Sequence, residues 1–158
     1  MHETANEFKN QALEKYNFEV DIHEFLEGTK TAKDAAKAIG CDVAQIAKSI
    51  VMKANDNLVI VITSGKNRVS EKKLGTILNK SPEQIRTAHP EEIKRKTGWS
   101  IGGVPPFCHK NNLKVILDET LTQFEQIWTA AGTPNTVFPI KPKKLKEYSN
   151  AKKANIAE

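Results

Sequence analysis

Apolar side chains at Ala5, Phe8, Ala12, Leu13 and Tyr16 recur three and four residues apart, so the chain is predicted to open with an amphipathic helix ending near Asn17. From Phe18 the period falls to two: Phe18, Val20 and Ile22 alternate with Glu19, Asp21 and His23. That is the pattern of a strand with one wet face. Thr31 is placed to cap a short helix that runs to Ile39, and Gly40 is placed to end it, because glycine readily takes the left-handed conformation that closes a helix. Asp42 and Gln45 have the spacing of a capping box and predict another short helix holding Val43, Ile46 and Ala47.

The most apolar part of the chain follows. Ser49–Lys53 and Leu58–Thr63 are β-branched runs joined by Ala54-Asn55-Asp56-Asn57, which predicts a hairpin. Ser70 can cap a helix over Glu71–Leu78, and Ser81-Pro82-Glu83-Gln84 resembles another helix start. Ile85–Ala88 fits a short strand as well as a helix. His89-Pro90 opens a helix that reaches Lys96 and stops at Gly98. Three further strands are predicted at Leu113–Leu117, Ile127–Ala130 and Thr136–Ile140. A lysine-rich helix starts at Pro142, and the last ten residues or so look frayed. About six or seven strands and five helices that do not strictly alternate predict an α+β (mixed α/β) fold, a mixed sheet curved over a helix. With 158 residues the chain can bury its own core, and 1–158 is expected to be a single domain.

Charge narrows this little. A formal net charge of +5 and a pI near 9.1 lean weakly toward a polyanionic partner. Cys41, Cys108 and four histidines follow no metal-ligand spacing, so neither a metal nor another cofactor is expected. Met1–Asn10 lacks an apolar signal core, and no run approaches the ~20 apolar residues of a membrane span. A soluble cytoplasmic protein with no membrane partner is expected.

Candidate chemistry concentrates in Thr97–Lys110, T-G-W-S-I-G-G-V-P-P-F-C-H-K, which holds three of the eight glycines and two of the seven prolines. These residues predict a stiff loop with bare main-chain amides at Gly102, Gly103 and Val104 and a rigid Pro105–Pro106 corner. Such amides suit a carbonyl or an oxyanion, and the same residues also suit a tight connection. Lys48, placed in phase with Ile50 and Met52, either snorkels to water or meets an anion. Thr63-Ser64-Gly65-Lys66-Asn67-Arg68 is expected to form a polar loop directly after a buried strand, where binding residues and plain turns both occur. Cys108 beside His109 is a poor nucleophile pair, because neighbours on an extended segment point apart.

Four motifs then stand in order: Q-I-A-K-S-I-V-M-K around Lys48, V-I-T-S-G-K-N-R-V-S-E-K-K-L, P-E-E-I-K-R-K-T-G-W-S-I-G-G-V-P-P-F, and G-T-P-N-T-V-F. From roughly Phe18 to Leu145 the chain resembles the YbaK/ProX family of aminoacyl-tRNA deacylases, which is similar to the editing domain inserted in bacterial prolyl-tRNA synthetases. The pairing of the lysine motif with the G-G-V-x-P-F loop is its most specific part. The resemblance implies a curved, partly barrel-like mixed sheet flanked by helices. It also implies a free-standing enzyme that hydrolyses the ester of mischarged tRNA, most simply tRNA(Pro) carrying alanine, cysteine, serine or threonine.

By the same resemblance, Lys48 matches the family's pocket lysine, and Gly102 through Pro106 (Gly102, Gly103, Val104, Pro105, Pro106) match the loop that surrounds the ester. Lys48 and Gly102 are the candidate catalytic residues. Phe25 lies near a position where some members have tyrosine. Thr63, Ser64, Gly65, Phe107 and His109 complete the expected substrate-binding set. Cys108 stands where glycine is usual, and Val137 stands at or near an aspartate of the cysteine-specific members, which argues against copying their preference. The expected mechanism uses water as nucleophile, Lys48 as a point charge and loop amides as oxyanion donors. Lys66, Arg68, Lys72, Lys110 and Lys114 are candidates for phosphate contacts to the acceptor end. The expected partners are aminoacyl-tRNA and prolyl-tRNA synthetase. The competing readings are a module that binds aminoacyl-tRNA or a synthetase without hydrolysis and a small-molecule esterase.

Overall fold

The computed structural model describes residues 3–25 and 31–158. Five α-helices occupy Glu3–Tyr16 (α1), Ala32–Ile39 (α2), Glu71–Leu78 (α3), Pro90–Thr97 (α4) and Pro142–Ser149 (α5). Eight strands occupy His23–Glu24 (β1), Ile46–Ala54 (β2), Asn57–Ser64 (β3), Ile85–Thr87 (β4), Lys114–Asp118 (β5), Ile127–Ala130 (β6), Thr136–Ile140 (β7) and Lys152–Ala154 (β8). They form one mixed sheet in the order β1-β7-β6-β2-β3-β5-β8, with β4 paired separately to β2. The α+β assignment holds, with an open eight-stranded sheet instead of six or seven strands.

Local signals set most of the boundaries. Thr31 accepts a hydrogen bond from Asp34 N–H, and Gly40 closes α2 at φ 87°. Ser70 caps α3, and Gly98 ends α4 at φ 88°. The Asp42–Gln45 capping box is present, but its 3₁₀ helix stops at Gln45, so Ile46 and Ala47 already belong to β2. Asn55 takes the left-handed conformation (φ 54°) in the turn between β2 and β3. The strand predicted from Phe18 pairs only at His23–Glu24, although Val20 is buried between exposed Glu19 and Asp21. The tail that looked frayed pairs in parallel with β5 and buries Ile156 completely.

The central strand β3 is covered on both faces. Leu58, Ile60 and Ile62 enter a core with α1, β5 and β7, while Val59 and Val61 pack with Leu74 of α3 and Ile116. A strand buried on both sides is a continuous apolar run, as Leu58–Ile62 is. On the first face Phe8 of α1 meets Trp99, Phe107 and Phe138 at ring centroid distances of 6.0, 5.6 and 5.2 Å. Two of these rings belong to the loop 97–110, so this cluster clamps the loop onto the sheet. Lys53 and Glu92 form a half-buried ion pair (2.9 Å) that ties β2 to α4 at the loop's entrance.

Candidate active site

The sheet parts along one edge of β2. β6 pairs with β2 at Ile46–Ala47, and β4 pairs with it only from Met52 to Ala54. Between these pairings, among the described residues, no strand covers that edge. A cavity of about 610 Å³ opens there, within the usual range for small-molecule sites. It is lined by Lys48, Ser49, Ile50 and Val51 of β2, by Gly102 and Val104 of the loop, and by Trp128 to Ala130 with Asn135 to Val137. Phe25 and the start of α2 at Thr31, Ala32 and Ala35 close one end.

The loop is held by a chain of hydrogen bonds. Lys110 N–H donates to Thr97 C=O (2.9 Å), which closes its base. The Trp99 indole N–H donates to Cys108 C=O (2.9 Å), and Thr97 hydroxyl donates to Ile93 C=O (2.7 Å). Gly103 N–H donates to Ser100 C=O (3.0 Å) across a tight turn in which Gly102 takes φ 86°. The expectation of three bare amides is therefore corrected: Gly103's donor is consumed by the turn. The amides of Gly102 and Val104 have no partner among the described residues. Gly103 is required for a different reason. A Cβ there would lie 2.6 to 2.8 Å from the main chain of Thr133, so the loop rests directly on the β6–β7 turn.

Lys48 is exposed, and no acceptor among the described residues lies within reach of its ammonium. It shares a face of β2 with Ile46 and Ile50, both of which line the cavity. Of the remaining predicted residues, Phe25 lines the cavity, with its N–H bonded to Asn135 C=O (2.7 Å). Pro105, Pro106 and Phe107 are buried behind the loop wall rather than on it.

Thr63, Ser64 and Gly65 also lie off the cavity. Ser64 N–H and Asn67 Nδ2 donate to the buried carboxylate of Asp118 (3.0 and 2.9 Å), and Ser64 hydroxyl donates to Ala44 C=O (2.7 Å). Burial alone raises the Asp118 carboxyl, but these bonds and the Thr120 N–H outweigh it and hold it below its ordinary value. A Cβ on Gly65 would sit 2.9 Å from Ala32, so this loop supports the α2 wall from outside.

His109 faces a separate recess of about 200 Å³ beside Tyr16 and Lys15. Its Nε2 contacts Pro105 C=O at 2.7 Å, and since a carbonyl only accepts, Nε2 carries the proton. Burial lowers its pKa, against the pull of that bond. Cys108 shares this recess, takes φ 66°, and has its thiol pushed by burial up to about 11. The left-handed backbone explains why glycine suits that position. The five basic residues do not gather: Lys114 pairs beside Val59 near the start of β3, whereas Lys66 and Arg68 follow its far end.

Local pattern gave no sign of Ser49, Trp128, Thr129 or Thr136 as wall residues. Their signal lies in long-range register, although Thr136 falls inside the G-T-P-N-T-V-F motif.

A family model described as the aminoacyl-tRNA editing domain matches residues 27–148. The chain belongs to that family. As a member it is a deacylase, a hydrolase of the ester that joins an amino acid to tRNA. The editing domain is 31% identical over 139 residues to YwhH, an uncharacterized protein of Bacillus subtilis (strain 168), covering 87% of each chain. It is 30% identical over 132 residues to the proline–tRNA ligase of Lactobacillus acidophilus, matching 81% of this chain but only 23% of the ligase. A crystal structure described as a candidate trans-editing enzyme for prolyl tRNA synthetase superposes with a TM-score of 0.92 at 36% identity, over 100% of this chain and 99% of that one. The editing domain is thus related to a segment of the ligases, not to their whole length. No helix among the described residues is long and apolar enough to cross a membrane.

Proposed function

We propose that this chain is a trans-editing deacylase that clears tRNA(Pro) of a small wrong amino acid, residues 1–158 acting as one cytoplasmic editing unit. One observation carries the reading: Lys48, Gly102 and Val104 line the same cavity, and neither the Lys48 ammonium nor the amides of Gly102 and Val104 have a partner among the described residues. Relatedness to a segment of proline–tRNA ligases, and the name of the superposing structure, support tRNA(Pro) as the substrate.

An aminoacyl ester is already activated by the vicinal ribose hydroxyl, so a protein nucleophile is unnecessary. Water attacks the carbonyl carbon, the carbonyl oxygen takes the negative charge, and the ribose oxygen leaves with a proton. The amides of Gly102 and Val104 would stabilise that oxyanion without reorganising, and one such donor is commonly worth about 3 kcal/mol. Lys48 would act as a point charge on the ester or the terminal phosphate. The cavity exceeds what one small side chain needs, which leaves room for the terminal sugar. A second sieve is useful because one methylene separates amino acids by only about 1–3 kcal/mol in a synthetase pocket. Prolyl-tRNA synthetase is the partner that would supply the mischarged substrate.

The test is a panel of tRNA(Pro) charged with alanine, cysteine, serine or threonine, followed for ester loss with the native chain and Lys48→Ala. Native turnover that drops at least tenfold in the variant supports the proposal. Charged tRNA that is retained on the protein with its ester intact would instead identify a binding module.

A further inference from the structure

β2 is paired on one side along its whole length by β3 and interrupted on the other. In a strand, main-chain groups of alternate residues point to the same side. The carbonyl of Val51 accepts from Ala88 N–H (3.1 Å) on the interrupted side, whereas the carbonyl of Ile46 accepts from Gly65 N–H (2.7 Å) on the β3 side. Counting by two, Ser49 turns its carbonyl and amide toward the interruption. β6 covers that edge only to Ala47, and β4 begins at Met52. Ser49 therefore presents a strand acceptor and donor to the cavity, with no described strand opposite.

The flanking residues are buried. Ala47, Val51 and Thr129 are 3%, 3% and 1% exposed, and the hydroxyls of Ser49 and Thr129 are buried without partners among the described residues. An open carbonyl in such a place calls for a donor.

We propose that the open edge of β2 is the subsite for the substrate's α-amino group, with the main-chain carbonyl of Ser49 accepting a hydrogen bond from the α-ammonium. This inference rests on the deacylase reading of the same cavity. The acyl end is the narrow end of the substrate and fits a recess this enclosed, whereas the sugar and base are the bulkier remainder. With the ammonium seated at the edge, the ester carbonyl is left for the amides of Gly102 and Val104, which belong to residues of the same lining. A main-chain acceptor also serves every small amino acid alike and would exclude acyl groups that lack the amine. It reads the class of substrate, while the apolar walls read its size.

Two arms test this. In the first, 3′-alanylamino-3′-deoxyadenosine, an amide-linked analogue that cannot be deacylated as an ester, is compared with its 3′-propionylamino counterpart by ¹⁵N and ¹³C NMR titration. The propionyl form keeps the shape and removes only the amine. The expected result is binding about ten- to a hundredfold weaker for the propionyl form, the usual loss for a charge-assisted hydrogen bond. Resonances of the Ser49 carbonyl and the Ser49 and Val51 amides should move only with the alanyl form. In the second arm, tRNA bearing alanyl or propionyl esters is hydrolysed, each rate normalised to its spontaneous rate. A similar preference is expected.

Equal binding and equal normalised rates would overturn the inference while leaving the deacylase reading intact. Failure of the alanyl analogue to bind at millimolar concentration would also overturn it. If no ester is cleaved but the alanyl analogue binds selectively, the amine subsite stands and the hydrolytic reading fails.

Discussion

Replacing Gly103 by alanine puts a methyl group where the main chain of Thr133 already lies, at 2.6 to 2.8 Å from its nitrogen, Cα and carbonyl carbon. Those atoms cannot swing aside as a side-chain tip would. Thr133 sits in the turn between β6 and β7, whose strands pair over Ile127–Ala130 and Val137–Ile140, so the loop has to yield instead. Overpacking of this kind costs about 1–3 kcal/mol, or roughly 3–10 °C of melting temperature for a chain of this size. The catalytic loss should be larger in proportion, because displacement of a donor by about an ångström can cost about a hundredfold. Gly102→Ala separates the two effects. Its Cβ would meet nothing closer than Pro134 Cγ at 3.6 Å, and its cost comes from φ 86°, on the order of 1–2 kcal/mol. Thermal unfolding and deacylation of alanyl-tRNA(Pro), measured on both variants, check this. A Gly103→Ala protein with native stability and native turnover would refute the claim that the loop wall is positioned by contact with Thr133.

Lys48→Ala should lower deacylation at least tenfold while changing stability by no more than about 0.5 kcal/mol, since the side chain is exposed and has no partner among the described residues; undiminished turnover would remove Lys48 from the chemistry. Cys108→Ala should leave turnover unchanged, because a thiol titrating at about 11 is protonated at neutral pH and faces the His109 recess; loss of activity without loss of fold would point to thiol chemistry. Asp118→Asn should destabilise by about 2–3 kcal/mol in urea unfolding, because hydrogen bonds to a buried charge are lost. The Asp118 carboxyl titrates below its ordinary value of 3.8, so its stabilisation is complete above that value and disappears as pH falls through the folded-state value. Asn at 118 should flatten that acid limb, and an unchanged pH profile would contradict the assignment.

Helix ends were legible because their chemistry is local. Thr31, Ser70, Gly40 and Gly98 each cap or close a helix with atoms a few residues away. The lysine motif and the Gly–Pro loop were legible as separate stretches, and the cavity does bring Lys48 and Gly102 together. What stayed hidden depends on distant partners. β8 carries the pattern Lys152-Lys153-Ala154, with no alternation to announce it, and exists because β5 offers a parallel edge. The loop expected from Thr63 begins only at Gly65, because β3 continues through Thr63 and Ser64, and the buried carboxylate of Asp118, 54 residues from Ser64, turns this strand end into a brace. Gly103 looked like a second free donor because its bond to Ser100 follows from a turn type that composition alone does not specify.

The position of the site follows from two registers rather than from any one motif. β6 runs parallel to β2 and leaves it after Ala47, because the chain then turns through Gly132–Asn135 into β7. β4 runs antiparallel and meets β2 only at Met52, because Pro90 starts α4 just beyond it. The unpaired stretch between them is where a sheet would ordinarily gain a further strand. Here that space is roofed by the loop 97–110, which α1 holds rigid through Phe8, Trp99 and Phe107. A missing strand segment under that roof leaves Ser49 of β2 and the loop residues Gly102 and Val104 lining one cavity. On the proposed reading, that arrangement would hold the backbone-like part of an aminoacyl ester while the apolar walls measure its side chain.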